Sequence, residues 1–279
     1  MRLGGPVFHW STAEEWALEH VARGYGAAYW PLGLDASPEK EQAFVDAAHR
    51  HDLVIAEVGV WNHLFHPDPE TAENNVRVCI ERMKQADRVG ARCCVNVSGS
   101  CGPDWDGAHR DNLTKETFDR IVRLTQRMLD EAQLKNTFYT LEPMPWMYPT
   151  DAEDAKALLA AIDRPSFAVH VDMVNMIDTP KKIYKTGELT RHFFAELNEH
   201  IRSVHVKDIG ITTGLTIDMP EVLCGTGEFD HAALLTECAK LDDVPVMVEH
   251  LKTEEEYDQA VAHLRKVAAE CGLAFDSAK

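Results

Sequence analysis

Eight short runs rich in β-branched and small apolar residues alternate with longer amphipathic stretches almost from end to end of the chain. The runs are Pro6–His9, Ala27–Trp30, Leu53–Val58, Arg92–Val97, Thr137–Glu142, Phe167–Val171, Ile201–Val206 and Pro245–Glu249. Between them, helical spacing of apolar residues covers Ala13–Arg23, Glu39–His51, Pro69–Val89, Thr114–Leu134, Asp151–Ile162, His231–Leu241 and Glu254–Cys271. A strand followed by a helix and a second strand builds a parallel sheet covered by helices. Eight such units in 279 residues predict an α/β protein that closes into a single (β/α)8 TIM barrel over residues 1–279, because such barrels use about 250 residues as one domain. No linker, low-complexity segment or charge block suggests a second domain. The sixth connection, Asp178–Glu199, reads as an enlarged excursion broken at Gly187. The seventh, Asp208–Gly227, is long and rich in Gly and Thr, as expected of a loop at the barrel mouth.

Charge narrows the partners. The formal net charge is −18, and a surface that acidic repels phosphate backbones and anionic membranes. Neither nucleic acid nor membrane is therefore expected as a partner. The N-terminal MRLGGPVFHWSTAEE reaches charged residues too soon for a secretory signal, and no apolar run approaches the roughly 18 residues of a membrane span. The cysteines number seven, an odd count, with none in a CxxC pair. They read as reduced, mostly buried thiols filling core space in a cytoplasmic protein.

Side chains alternate across a strand, so residues of one parity enter the barrel and the others face the helices. In FYTLEP, Thr140 and Glu142 share a face while Leu141 opposes them. In FAVHVDM, Ala168, His170 and Asp172 oppose Val169 and Val171. In SVHVKD, Ser203, His205 and Lys207 oppose Val204 and Val206, and in VMVEH, Met247 and Glu249 oppose Val246 and Val248. The polar parity falls inward each time, at the C-terminal strand ends where barrel enzymes place their sites. Three buried carboxylates without a counter-charge would repel and lose solvation. A divalent cation held by Glu142, Asp172, His205 and Glu249 removes that problem. Oxygen-rich ligation with one nitrogen suits Mn²⁺, Mg²⁺ or Co²⁺ better than a thiolate-selected Zn²⁺ site, so one divalent metal, Mn²⁺ first, is the expected cofactor. Each residue alone could equally be a strand-end salt bridge.

LEPMPW, HVDMVN, SVHVKD, GTGEFD and VMVEHL, in this order and spacing, resemble the xylose-isomerase-like barrels grouped as sugar phosphate isomerases and epimerases. Ketose 3-epimerases, hydroxypyruvate isomerase and inosose dehydratase belong to that group. The resemblance runs over the whole barrel and is sharpest from Glu142 to Glu249. It implies metal ligation by Glu142, Asp172, His205 and Glu249, and an acid/base pair made of Glu142 and Glu249. Two positions depart from the ketose 3-epimerases: Asn175 stands where they carry a histidine, and Ile211 where they carry an arginine.

Other candidates for contact with a small-molecule sugar substrate are Asn175, Lys207, Glu57, Trp105, Trp146 and His170. Glu57 ends a strand and could meet a hydroxyl, whereas His170, one layer below Asp172, reads more readily as a core or supporting group. Trp10, Trp30, Trp61, Trp105 and Trp146 lie at or after strand ends, where aromatic rings suit the apolar faces of a sugar or simply pack the mouth. The activity expected is metal-dependent isomerisation or epimerisation of a ketose or keto-sugar through an enediolate. The alternatives are a metal-dependent lyase on a keto-sugar or keto-cyclitol, of the dehydratase or C-glycoside-cleaving type, and a non-catalytic sugar-binding barrel. A homo-oligomer is compatible with the sequence.

Overall fold

The computed structural model describes Met1–Lys279. Strands β1 (Arg2–Gly4), β2 (Ala27–Tyr29), β3 (Val54–Gly59), β4 (Cys93–Asn96), β5 (Phe138–Leu141), β6 (Phe167–Asp172), β7 (Ile201–Val206) and β10 (Pro245–Val248) close into a parallel barrel. Two further short strands, β8 (Asp208–Ile209) and β9 (Glu221–Val222), pair antiparallel as a hairpin in the seventh connection. Helices α1 (Ala13–Ala22), α2 (Pro38–Arg50), α3 (Pro69–Val89), α4 (Lys115–Ala132), α5 (Ala152–Ile162), α6 (Pro180–Ile183), α7 (Thr186–Leu197), α8 (His231–Cys238) and α9 (Glu254–Glu270) complete the chain.

The helices start where short oxygen-bearing side chains allow it. Thr12, Ser37, Asp68, Thr114, Asp151, Asp230 and Thr253 each accept a backbone N–H of the first turn. Such a cap typically contributes about 1 kcal/mol. Glu15 and Glu256 return the bond to complete two capping boxes.

Two expectations are corrected. The first strand is Arg2–Gly4, not Pro6–His9: it pairs with β10 through Arg2 opposite Pro245, Leu3 opposite Val246 and Gly4 opposite Met247. Pro6 has no N–H to give a ladder, and the N–H groups of Phe8 and His9 are taken by the Glu19 carboxylate instead. The local pattern hid this strand because Leu3 is its only strongly apolar residue. Gly4 is required there, since a Cβ would collide with the Met247 side chain and the Ala27 carbonyl inside the barrel. The sixth excursion breaks between α6 and α7, at Tyr184–Lys185, and not at Gly187, which lies in the first turn of α7 where the Asp230 carboxylate leaves no room for a Cβ.

Outward strand residues form the helix-facing core. Leu3, Val169, Val171, Val204, Val206, Val246 and Val248 bury into one apolar cluster, and Ala28, Ile55, Val58, Cys94 and Leu141 into another. Full burial of one such aliphatic side chain contributes roughly 1.5–3 kcal/mol. The barrel interior is built differently. Ala27, Ala56 and Met247 make a small apolar plug, and above it the inward positions turn polar. All seven cysteines are free thiols, and five of them are buried. No helix is long and apolar enough to cross a membrane.

Candidate metal and active site

Four neighbouring barrel strands carry the site. Asp172 is the last residue of β6, His205 is the penultimate residue of β7, and Glu142 and Glu249 directly follow β5 and β10. The Glu142 N–H donates to the Asn96 carbonyl at 2.9 Å, which prolongs the ladder by one residue and holds the carboxylate at the mouth. The structure brings the four expected residues together: each offers a ligand atom, and all four atoms lie within 4.8 Å of one another. His205 Nδ1 sits 3.0 Å from Glu249 Oε1, 3.6 Å from Glu142 Oε1 and 4.0 Å from Asp172 Oδ2.

The other imidazole nitrogen explains that orientation. His205 Nε2 faces both oxygens of Glu57, at 3.1 and 3.2 Å, and Ser203 Oγ donates to the same carboxylate at 3.0 Å. A buried carboxylate accepting from Nε2 fixes the tautomer in which Nδ1 presents its lone pair to the cluster. Glu57 is 1% exposed and is occupied by Ser203 and His205. It supports His205 and also lines the cavity above the cluster.

Lys207 lies at the centre of the charge balance. Its Nζ is 2.9 Å from Asp172 Oδ2 and 2.8 Å from Glu249 Oε1, and it donates to Asn175 Oδ1 at 3.0 Å and Glu221 Oε1 at 3.1 Å. Asn175 in turn donates its amide to Glu142 Oε1 at 2.9 Å, so the residue expected to contact substrate bridges Lys207 and Glu142. Its backbone N–H is held by Asp172 Oδ1. His170 is fully enclosed, its ring edge-on to His205 at 4.1 Å between centroids, and neither of its nitrogens has a hydrogen-bond partner.

Environment separates the two glutamates. Burial pushes the Glu142 carboxyl up to about 7, opposed by His205 and reinforced by Glu249. Burial acts the same way on Glu249, but His205 and Lys207 outweigh it and hold that carboxyl well below its ordinary range. Burial would drive His205 neutral, yet Glu249 and Glu57 hold it well above its ordinary value.

Two residues entered the site without a signal in the strand pattern. Glu221 arrives from β9 of the hairpin, and His250, whose Nδ1 lies 2.9 Å from Glu221 Oε2, sits at φ +58 immediately after Glu249. The only cue to His250 was its place in VMVEHL, and a hairpin-borne Glu221 has none. Above the cluster opens a cavity of about 800 Å³ lined by Trp30, Trp61, Trp105 and Trp146 among others. Trp10 is not among them: it packs edge-on against Phe44 of α2 at 5.6 Å.

The donor set fits a divalent cation. Asp172 Oδ2, His205 Nδ1 and Glu249 Oε1 are buried atoms with no aligned hydrogen bond; the Lys207 ammonium is the one cation beside the two carboxylate oxygens, at 2.9 and 2.8 Å. Buried polar atoms left in this state cost free energy unless something else satisfies them. Three carboxylates and one imidazole, which ligates a metal in its deprotonated, neutral form, are the donors that hard or borderline divalent ions favour.

Known structures share the fold at low sequence identity. Endonuclease IV from Thermus thermophilus superposes with a TM-score of 0.73 at 16% identity, covering 97% of this chain and 100% of that one. D-psicose 3-epimerase from Clostridium cellulolyticum, solved with D-tagatose, gives 0.71 at 11% identity over 98% and 100%. The 3-keto-D-glucoside 4-epimerase of E. coli gives 0.67 at 13% identity over 95% and 99%. No curated protein matches the sequence. Residues 15–267 match the family described as Xylose isomerase-like TIM barrel, and the chain belongs to that family.

Proposed function

We propose that this protein is a divalent-metal-dependent isomerase or epimerase of a ketose or keto-sugar. The observation that carries the reading is the placement of two carboxylates, Glu142 and Glu249, on separate strand ends at the rim of one four-residue cluster that opens into the cavity. Two of the neighbouring folds are named as epimerases, one of them acting on a keto-glucoside.

Glu142, Asp172, His205 and Glu249 would hold the metal. When bound, a cation such as Mn²⁺ supplies Lewis-acid polarisation of a carbonyl oxygen and offsets the carboxylate charge. Glu142 or Glu249, as carboxylate, removes the proton from the carbon beside the carbonyl. The C–H electrons become the C=C bond of the enediolate, and the carbonyl π electrons pass to oxygen. The other glutamate, as carboxylic acid, returns a proton to the opposite face of that carbon for epimerisation, or to the neighbouring carbon for isomerisation. Asn175 holds Glu142 through Oε1 and leaves Oε2 for the transfer, while the Lys207 ammonium offsets charge beside Asp172 and Glu249.

One observation favours a second outcome. Asn175 is engaged at both ends of its amide and carries no titrating ring, so the contact expected of a histidine in the ketose 3-epimerases is absent. If a β-substituent departs with its bonding electrons before reprotonation, the same enediolate yields an unsaturated ketone and the activity is that of a lyase. Incubation in D₂O with Mn²⁺ distinguishes the two. Epimerase or isomerase action places deuterium beside the carbonyl in a product of unchanged composition. Lyase action releases water or an aglycone and leaves a product absorbing in the ultraviolet. Full activity after exhaustive chelation would overturn the metal-dependent reading of both.

A further inference from the structure

One buried ammonium has more acceptors than it can serve. Five atoms lie within 3.1 Å of Lys207 Nζ: Glu249 Oε1 at 2.8 Å, Asp172 Oδ2 at 2.9 Å, Asn175 Oδ1 at 3.0 Å, and Glu221 Oε1 and His250 Nδ1 at 3.1 Å. An ammonium carries three N–H groups. Its aligned partners are Asn175, Glu221 and His250 Nδ1. Asp172 Oδ2 and Glu249 Oε1 are left with attraction but no aligned donor. Four oxygens and an imidazole nitrogen around one point make a cation's coordination shell, with donor types that divalent ions take.

The fold, and not the lysine, holds that shell. Asp172 ends β6 and Glu249 follows β10. Asn175 is anchored twice, through its N–H to Asp172 Oδ1 at 3.1 Å and its amide to Glu142 Oε1 at 2.9 Å. Glu221 is set by the β8–β9 pairing, where it stands opposite Ile209. The root of that hairpin is clamped by Asp208, which is buried. Its carboxylate accepts the N–H groups of Ile209, Gly225, Gly227 and Phe229 at 2.8–3.1 Å. This is what the GTGEFD segment does. Gly225, at φ +92, and Gly227, where a Cβ would strike Asp208, let the loop wrap that carboxylate.

A compact ammonium on a long stem can stand where an ion would otherwise stand. We propose that Lys207 is a tethered cation filling a second metal position. Asp172, Asn175, Glu221, Glu249 and His250 form that position, so the native chain holds one divalent ion and a chain without the ammonium holds two. Asp172 and Glu249 are shared with the four-residue cluster, and the inference rests on the reading of that cluster as a metal site. Removing the ammonium leaves Asp172, Glu221 and Glu249 without their common counter-charge, a cost that a second ion relieves. In the native chain the second positive charge is permanent. It needs no metal and opens no second coordination position.

Counting ions tests this without substrate or turnover. The native protein, Lys207→Ala and Lys207→Ser are loaded with Mn²⁺, freed of excess, analysed for bound metal and examined by electron paramagnetic resonance. The native protein should hold one ion per chain, with the spectrum of isolated Mn²⁺. Each variant should hold two, and ions about 3.5–4 Å apart should show the spectrum of a coupled pair. Adding Glu221→Ala and His250→Ala to Lys207→Ala should remove the second ion and keep the first. Circular dichroism verifies that each variant is folded. A coupled pair in the native protein would overturn the proposal, and that arm stands even if both lysine variants fail to fold. So would a second ion that survives the loss of Glu221 and His250, since it would sit elsewhere on the acidic surface. One ion in every folded protein would sink this inference alone, whereas no ion in the native protein would sink the metal-dependent reading beneath it.

Discussion

The two ends of the barrel carry cavities of nearly equal size, about 800 Å³ at the C-terminal end and about 790 Å³ at the N-terminal end, and both are rich in charge. Their charges are disposed in opposite ways. At the N-terminal end Arg2 donates to Asp243 Oδ1 at 2.6 Å and to Asp52 Oδ1 at 3.2 Å, and Arg92 donates to Asp243 Oδ2 at 2.8 Å. The Arg202 guanidinium lies over the Phe138 ring at 4.1 Å. No residue lining that cavity has a buried polar atom without a partner, whereas His170, Asp172, His205 and Glu249 all do at the other end. Volume and charge alone do not mark a site. Several buried polar atoms without aligned hydrogen bonds, gathered within one cluster, do, because a fold tolerates that cost where something else offsets it.

The largest effects should fall on one end only. Glu142→Gln and Glu249→Gln keep shape and remove the base, so each should lower turnover by about 10²–10⁴. Arg2→Ala at the opposite mouth should leave turnover unchanged while lowering stability. A Glu142→Gln or Glu249→Gln variant with near-normal turnover, metal present, would make that glutamate merely structural and break the contrast.

Acid should act between the two mouths, through a histidine that belongs to neither. His20 on α1 is buried, bonded through Nδ1 to the Trp16 carbonyl at 2.8 Å, and burial lowers its pKa to about 4. Its unfolded value is 6.5, so between the two values the unfolded chain binds the extra proton. Stability is therefore fully present above 6.5 and falls as the pH drops toward 4, by up to about 3 kcal/mol at 1.36 kcal/mol per unit. Urea midpoints measured from pH 7 to pH 4 should fall more steeply for the parent than for His20→Leu. Parallel curves would assign acid sensitivity elsewhere.

How far these features could be read from sequence depends on how local their causes are. Parity along one strand placed Glu142, Asp172, His205 and Glu249 correctly, since alternation is a property of the backbone and each strand ends in regular pairing. Parity could not find the partner of His205, because Glu57 lies 148 residues away and β3 shifts register against β2 beside it. Nor could it place Glu221, which reaches Lys207 only because the seventh connection doubles back as a hairpin. The first strand escaped because its pairing with β10 depends on a space only glycine leaves.

Glu57 also offers a graded test of the unpartnered cluster. If it fixes the His205 tautomer, Glu57→Gln should weaken Mn²⁺ affinity by about 10–100-fold while the protein stays folded. Calorimetric titration of Mn²⁺ reads this without substrate. Unchanged affinity would mean that Glu57 only fills and neutralises the barrel interior.

The smallest effect belongs to the N-terminal mouth, and its smallness is what makes it informative. Arg92 is 42% exposed at its side chain and pairs with an Asp243 that is 30% exposed. Water screens such a pair, and holding the long arginine chain in one rotamer offsets much of the attraction, so pairs of this kind contribute about 0.2–1 kcal/mol. Asp243 also keeps its shorter bond to Arg2 when Arg92 is removed. Arg92→Ala should therefore lower stability, read from the urea midpoint, by no more than that amount. Added salt should narrow the difference from the parent, and both Mn²⁺ affinity and turnover should stay where they were. A change in turnover or metal affinity would mean that the two mouths communicate through β4, whose Cys93 is paired with Glu57 of β3, and that the N-terminal cavity is more than a closed network of ion pairs.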